Sequence, residues 1–192
     1  VPPATSEIAE ALGALRETFE SLGLRWYVFG AQAAILYGSS RMTEDVDVTV
    51  ELGAVGVPEI VAALASRGFS SRVEDMEALA LTARVLPIEH DASRTPVDVI
   101  LAGPGLEEDL LARAQIRAIG TQRVPVITAE DLVALKLLAH RPHDVEDAVA
   151  VLRAQRGRFD ATRTKQVLAD LAEVLEDPDL VSRFDAVIRR AR

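Results

Sequence analysis

Cysteine is absent from the sequence, which excludes disulfides and thiolate metal sites and leaves nothing that argues for secretion. No run of about 18 apolar residues occurs, so no membrane span is expected. No charged-then-apolar signal segment opens the chain, and a cytoplasmic location is therefore the expectation. Histidine is nearly missing, at three residues, which disfavours His-rich metal ligation. Basic residues are outnumbered: 21 Lys and Arg stand against 30 Asp and Glu, a net charge of −9. Such a balance argues against a broad surface for coating nucleic acid. Lysine is the rarest basic type, present only as Lys136 and Lys165.

An apolar fraction of 49% over 192 residues is ample for a buried core. The length fits one domain, or one domain with a helical appendage. Residues 29–50, FGAQAAILYGSSRMTEDVDVTV, organise the rest. A short apolar segment leads into Gly30-Ala31, and residues 31–37 suit one or two helical turns. Gly38-Ser39-Ser40 then turns the chain, and Arg41 and Thr43 precede Asp45-Val46-Asp47. Val46, Val48 and Val50 alternate with Asp45, Asp47 and Thr49, which predicts a strand with valines facing a core and both carboxylates on the other face. Two like charges on one face repel, and a divalent cation such as Mg²⁺ is the natural counter-ion for carboxylate oxygens. A solvated acidic strand edge is the plainer alternative. A strand, a glycine and a helix start in that order also expose N–H groups that attract phosphate. Taken alone, Gly30 reads equally as a tight strand-to-helix turn.

Elsewhere the pattern is regular. Ile8, Leu12, Leu15, Phe19 and Leu22 recur every three or four positions, predicting an amphipathic packing helix over residues 6–22 that ends at Gly23. A helix over residues 58–68, a strand over 69–73 and a short helix over 74–81 follow. Residues 84–90 and 96–101 read as the arms of a β-hairpin. In the second arm Val97, Val99 and Leu101 share one face, leaving Asp98 and Ile100 on the other. An acid in that setting is expensive unless paired, metal-bound or facing solvent at an edge. A helix over 106–115 and a small hairpin around Gly120-Thr121 complete the α+β part.

From Thr128 the sequence turns helical. Thr128 with Asp131 resembles a capping box. Leu132, Leu135, Leu138 and Ala139 form the expected buried stripe, with Lys136 off it and readable as a surface lysine. His140-Arg141-Pro142-His143-Asp144 superficially resembles a metal site, but Pro142 breaks the spacing that the two imidazoles would need. The run reads instead as a helix end at Arg141 and a new helix capped from Asp144. Helices are expected over residues 144–156, 160–175 and 178–191. Five positive groups fall within residues 153–165, either a solvated rim or a docking strip for an anionic partner such as RNA.

The order apolar–Gly–small, thirteen residues, then Asp-x-Asp resembles the signature of the nucleotidyltransferase superfamily of the polymerase-beta type. Arg41-x-Thr43-x-Asp45-x-Asp47 is most similar to the AbiEii/AbiGii-toxin-like branch. One departure is Ala31, where the motif has Gly or Ser. The resemblance covers roughly residues 24–150. It implies an α+β nucleotidyltransferase fold, with a mixed sheet flanked by helices. Residues 1–127 would form the core and residues 128–192 a C-terminal helical portion packed on it.

The resemblance also implies Mg²⁺-dependent transfer of a nucleoside monophosphate from an NTP to an acceptor hydroxyl on RNA, protein or a small molecule. Asp45, Asp47 and Asp98 would hold the metal, two ions by the family pattern. Gly30, Ala31, Ser39 and Ser40 would lie against the nucleotide phosphates, with Arg41 and Lys136 neutralising charge and Thr43 belonging to the same motif. Asp144, in the basic-x-x-Asp element, would orient or deprotonate the acceptor; as a helix cap it would need no such role. A toxin–antitoxin partner protein fits the same resemblance. So does a catalytically inactive binding or regulatory module. A metal-dependent phosphohydrolase is disfavoured by the scarcity of histidine.

Overall fold

The computed structural model describes residues 6–192. They fall into two compact units, and one of the points where the chain passes between them lies inside a short helix. One holds the residues up to Gln32 and Thr43–Ile127; the other holds Ala33–Met42 and Thr128–Arg192.

The first is a sheet unit. Helix α1 (Ser6–Ser21) leads to β1 (Arg25–Val28), and the first residues of α2 (Gly30–Leu36) close this part. After Thr43 come β2 (Val46–Glu51), α3 (Val57–Ser66), β3 (Phe69–Ser71) and α4 (Met76–Ala83). The long hairpin β4 (Val85–His90) and β5 (Thr95–Leu101) follows, then α5 (Leu106–Arg113), β6 (Gln115–Ile119) and β7 (Gln122–Val126). The strands form one seven-stranded sheet in the order β3-β4-β5-β2-β1-β7-β6. It is mixed: β2 runs parallel to β5 and β1 parallel to β7, while the other neighbours are antiparallel.

Alternation decides which face is the core. Val46, Val48 and Val50 pair in register with Val97, Val99 and Leu101, and all six are buried. Leu86 and Ile88 extend that face across β4, and Trp26 and Val28 extend it across β1. Helix α1 packs against β1, β5 and β7 through its buried stripe of Ile8, Leu12, Leu15 and Phe19. Phe19 meets Trp26 edge-on, with ring centroids 5.2 Å apart. A fully buried side chain of this size stabilises the fold by about 1.5–3 kcal/mol. On the opposite face Pro87 of β4 and Pro96, Asp98 and Ile100 of β5 are only half-buried.

The second unit is helical: α6 (Ala129–Ala139), α7 (Pro142–Ala154), α8 (Ala161–Val174) and α9 (Leu180–Ala191), joined by the turn after α2. Thr128 caps α6 as expected, its hydroxyl accepting from the Asp131 amide and donating to the Asp131 carboxylate at 2.8 Å.

Two expectations about this unit are corrected. Lys136 is buried rather than on the surface, and the buried set on α6 is Ala129, Asp131, Leu132, Val133, Ala134, Lys136 and Leu137. The predicted stripe assumed a helix with one open side, whereas α6 packs against α7, α8 and α9. Asp144 does not cap a helix either. His140 ends α6 in the left-handed region at φ 49°, and α7 starts at Pro142, whose fixed φ suits a first helical position. Asp144 therefore lies inside the first turn of α7. Among the described residues no helix is long and apolar enough to cross a membrane.

Candidate active site

In the sheet unit, the parallel pairing of β2 and β5 places Asp47 directly beside Asp98. Register partners leave the same face of a sheet, so both carboxylates emerge on the face away from the α1 core. Asp45 stands one residue before β2 and is exposed. Its backbone is fixed from two sides: Gln32 Nε2 donates to its carbonyl at 3.2 Å, and its amide donates to Thr43 Oγ1 at 3.3 Å. Gln32 is buried, and sequence reasoning missed it. The available signal was a lone amide in the otherwise apolar run from Ala31 to Leu36.

Gly30 adopts φ +62°, and a Cβ there would lie 1.8 Å from Asp47 Oδ2. The glycine is thus required twice, for its backbone angle and for the approach of the carboxylate. Ala31 is buried beside it. The helix that starts here has only seven residues, which limits the dipole it can offer a phosphate.

Asp98 has a partner that the sequence did not announce. Arg72, just after β3, donates from Nη2 to Asp98 Oδ1, and both side chains are part-exposed. An acid between Val97 and Val99 is thereby paired, one of the ways its cost can be met.

Asp47 and Asp98 fit a divalent cation of the Mg²⁺ type. Such an ion takes one or two carboxylates and draws its other ligands from water and phosphate oxygens. Among the described residues no group of three His, Cys, Asp or Glu side chains stands close enough to hold an ion. Asp47 and Asp98 are register partners, and Asp45 adjoins them two residues before Asp47.

The helical unit brings together a second set of expected residues. Lys136 Nζ donates to Asp144 Oδ1 at 2.7 Å and to Asp147 Oδ2 at 2.8 Å. Arg141 Nε donates to Asp144 Oδ2 at 2.7 Å, and Ser39 Oγ donates to Asp147 Oδ1 at 2.8 Å. Arg41 Nη1 lies 3.6 Å from Asp147 Oδ2. Asp144 and Asp147 are only 1% and 3% exposed, yet every carboxylate oxygen has a partner. Burial pushes the Asp144 carboxyl up, but hydrogen bonds and charge from Lys136 and Arg141 outweigh it and hold the group below the ordinary range. Asp147 was also missed. Its position three residues after Asp144, on the same helical face, was the available signal.

Gly38 explains the turn that feeds this network. Its φ is +117°, and a Cβ would lie 2.2 Å from Ala154 Cβ. Close approach to α7 lets Gln155 Nε2 donate to the Tyr37 carbonyl at 3.1 Å and brings Ser39 to Asp147. Ser40 is exposed beside it. The basic run that starts in the last turn of α7 is largely engaged within the same unit. Arg153 and Arg156 donate to the carbonyls of Arg190 and Ala191 at the end of α9, Arg163 pairs with Asp131 at 2.9 Å, and Lys165 pairs with Asp185 at 3.2 Å.

No family model matches the sequence, and no curated protein aligns with it significantly. Solved structures do resemble it. An antigenic nucleotidyltransferase-like protein from Paracoccidioides brasiliensis superposes with TM-score 0.52 and 17% identity, over 97% of this chain and 95% of that one. The antibiotic-resistance factor ANT(2'')-Ia gives 0.58 and 15% over 89% and 92%. The lincosamide antibiotic adenylyltransferase LnuA, solved with lincomycin bound, gives 0.52 and 13% over 82% and 99%. The chain therefore has a nucleotidyltransferase fold, with a mixed sheet and a C-terminal helical portion.

Proposed function

We propose that the chain transfers a nucleoside monophosphate from an NTP to an acceptor hydroxyl. The observation that carries this reading is the Asp47–Asp98 register pair beside Gly30, on the sheet face opposite the α1 core. Asp47 and Asp98 would hold Mg²⁺, with Asp45 adjoining; a second ion is the family pattern. Bound Mg²⁺ would polarise the phosphates and steady the leaving pyrophosphate. The acceptor oxygen forms a bond to the α-phosphorus, the bond from that phosphorus to the bridging oxygen breaks, and pyrophosphate leaves. The hydroxyl proton passes to solvent or to Asp98, the acid placed nearest the acceptor in this reading.

Gly30 and Ala31 would lie against the phosphates, with Ser40, Arg41 and Thr43 in the segment leading to the acids. Lys136 and Ser39 are both engaged by Asp147, so we assign them a supporting role in the helical unit. Asp144, buried and held ionised, orients Lys136 in this reading rather than acting as a base. RNA, a protein hydroxyl and a small molecule remain the acceptor classes. Two of the similar structures are linked by name to antibiotics, which places small hydroxylated antibiotics first among the trials.

The test is incubation of the full chain with Mg²⁺ and each labelled NTP in the presence of each acceptor class. Label transfer and pyrophosphate release, both lost in Asp47→Asn, are expected. Absence of both transfer and NTP binding refutes the reading.

A second reading has two observations behind it. Arg72 occupies Asp98, and Ala31 replaces the motif's usual Gly or Ser, which favours an inactive module serving a partner protein, including a toxin–antitoxin partner of the AbiEii-like kind. In that case Asp47→Asn leaves partner binding unchanged and there is no transfer to lose.

A further inference from the structure

Arg72 reaches Asp98 across an intervening strand. Ser71 pairs with Ile88 in the β3–β4 register, and the Arg72 amide donates to the Pro87 carbonyl at 3.0 Å, so Arg72 continues that register beside Pro87. Pro87 pairs with Asp98, and Asp98 pairs with Asp47. Arg72, Pro87, Asp98 and Asp47 therefore form one row across the sheet, at about 4.8 Å per strand. Pro87 has no long side chain, which leaves the space above β4 open for the arginine to cross. Like charges on directly opposite residues destabilise a strand pair, and the guanidinium supplies the only cation this row contains.

Building on the proposed function, we propose that Arg72 is a tethered counter-ion on the Asp47–Asp98 pair that must leave Asp98 before a divalent cation binds there. The arginine thereby sets the affinity of the site. Its side chain is 34% exposed and Asp98 is 45% exposed, so the guanidinium can withdraw into solvent without opening the core. With a cation in place, Arg72 is released to meet anionic groups on the same face, those of the nucleotide included. Arg72 is thus a positioning residue, acting through Asp98.

The test is Mn²⁺ binding to the full chain without nucleotide, followed by electron paramagnetic resonance and calorimetry. Arg72→Gln should bind Mn²⁺ about fivefold more tightly than wild type, the factor corresponding to an exposed ion pair of roughly 1 kcal/mol. Arg72→Lys, which keeps the charge, should stay near wild type. In EDTA, Arg72→Gln should melt lower than wild type, and Mn²⁺ should remove that difference; a purely structural ion pair would lower the melting temperature equally with and without Mn²⁺. If wild type binds Mn²⁺ and Arg72→Gln binds no tighter, the counter-ion role is refuted while the cation site stands. If neither protein binds Mn²⁺ and Asp98→Asn behaves identically, the cation site falls, and this inference with it.

Discussion

The Cβ that Gly30 lacks would lie 1.8 Å from Oδ2 of Asp47. The start of α2 and the acid of β2 are thus fitted to one another, and the fit admits only glycine. Gly30→Ala should cost about 1–3 kcal/mol, from the left-handed backbone and the displaced carboxylate together. Gly23→Ala is the internal control, because Gly23 has φ +66° but nothing within 4 Å of its missing Cβ. In urea denaturation the Gly30 variant should lose more stability than the Gly23 variant. The excess measures the contact with Asp47.

Asp47→Asn and Asp98→Asn should each reduce nucleotide transfer by ~10²-fold or more, since a cation held by one carboxylate loses several kcal/mol of charge stabilisation. Circular dichroism should show both variants folded, because both acids are part-exposed and lie on the face opposite the core valines. A variant retaining full transfer would remove its acid from the site.

Lys136 is the cation shared by two buried acids. Lys136→Met should destabilise the helical unit by about 3–5 kcal/mol, because both carboxylates lose a partner while still buried. The triple variant Lys136→Met, Asp144→Asn, Asp147→Asn leaves no charge of the trio and should recover part of the loss. Urea denaturation of the two proteins checks the order. A single variant as stable as wild type would show that the acids have other access to water.

Ser39→Ala separates packing from substrate contact. Losing the hydrogen bond to Asp147 should cost about 1–2 kcal/mol of stability. The Michaelis constant for NTP should stay unchanged if the hydroxyl serves only the network. A raised constant with unchanged stability would return Ser39 to the phosphates.

Acid should weaken the helical unit through Asp144. Its folded-state pKa lies below the ordinary value, so the unfolded chain takes up the proton first as pH falls. The stabilisation is fully present above about pH 4–5 and is lost as pH drops through the folded-state pKa. Denaturation midpoints followed from neutral pH to about pH 2 should decline, and Asp144→Asn should flatten part of that decline. A decline of the same shape in both proteins would assign it to other groups.

Local chemistry was legible wherever the reason for it was local. The alternation in residues 45–50 and 96–101 fixed which side chains face the core and put Asp98 on the face opposite Val97 and Val99. The stripe of α1 and the Thr128 cap came through for the same reason. Lys136 was misjudged because a helical wheel assumes one open side, and α6 has neighbours in α7, α8 and α9. Asp144 was misplaced because a capping acid and a buried acid look alike until Pro142 is seen to begin the helix.

Period and composition by themselves determined the strands, the helices and the acids available to them, since these depend on neighbours a few residues apart. Pairing between distant segments decided the rest. The β2–β5 register set Asp98 beside Asp47, the β3–β4–β5 rows carried Arg72 to Asp98, and the packing of α6 against α7 gave Lys136 to Asp144 and Asp147. Which charges meet is a property of register and burial, and neither is written in a short stretch of chain.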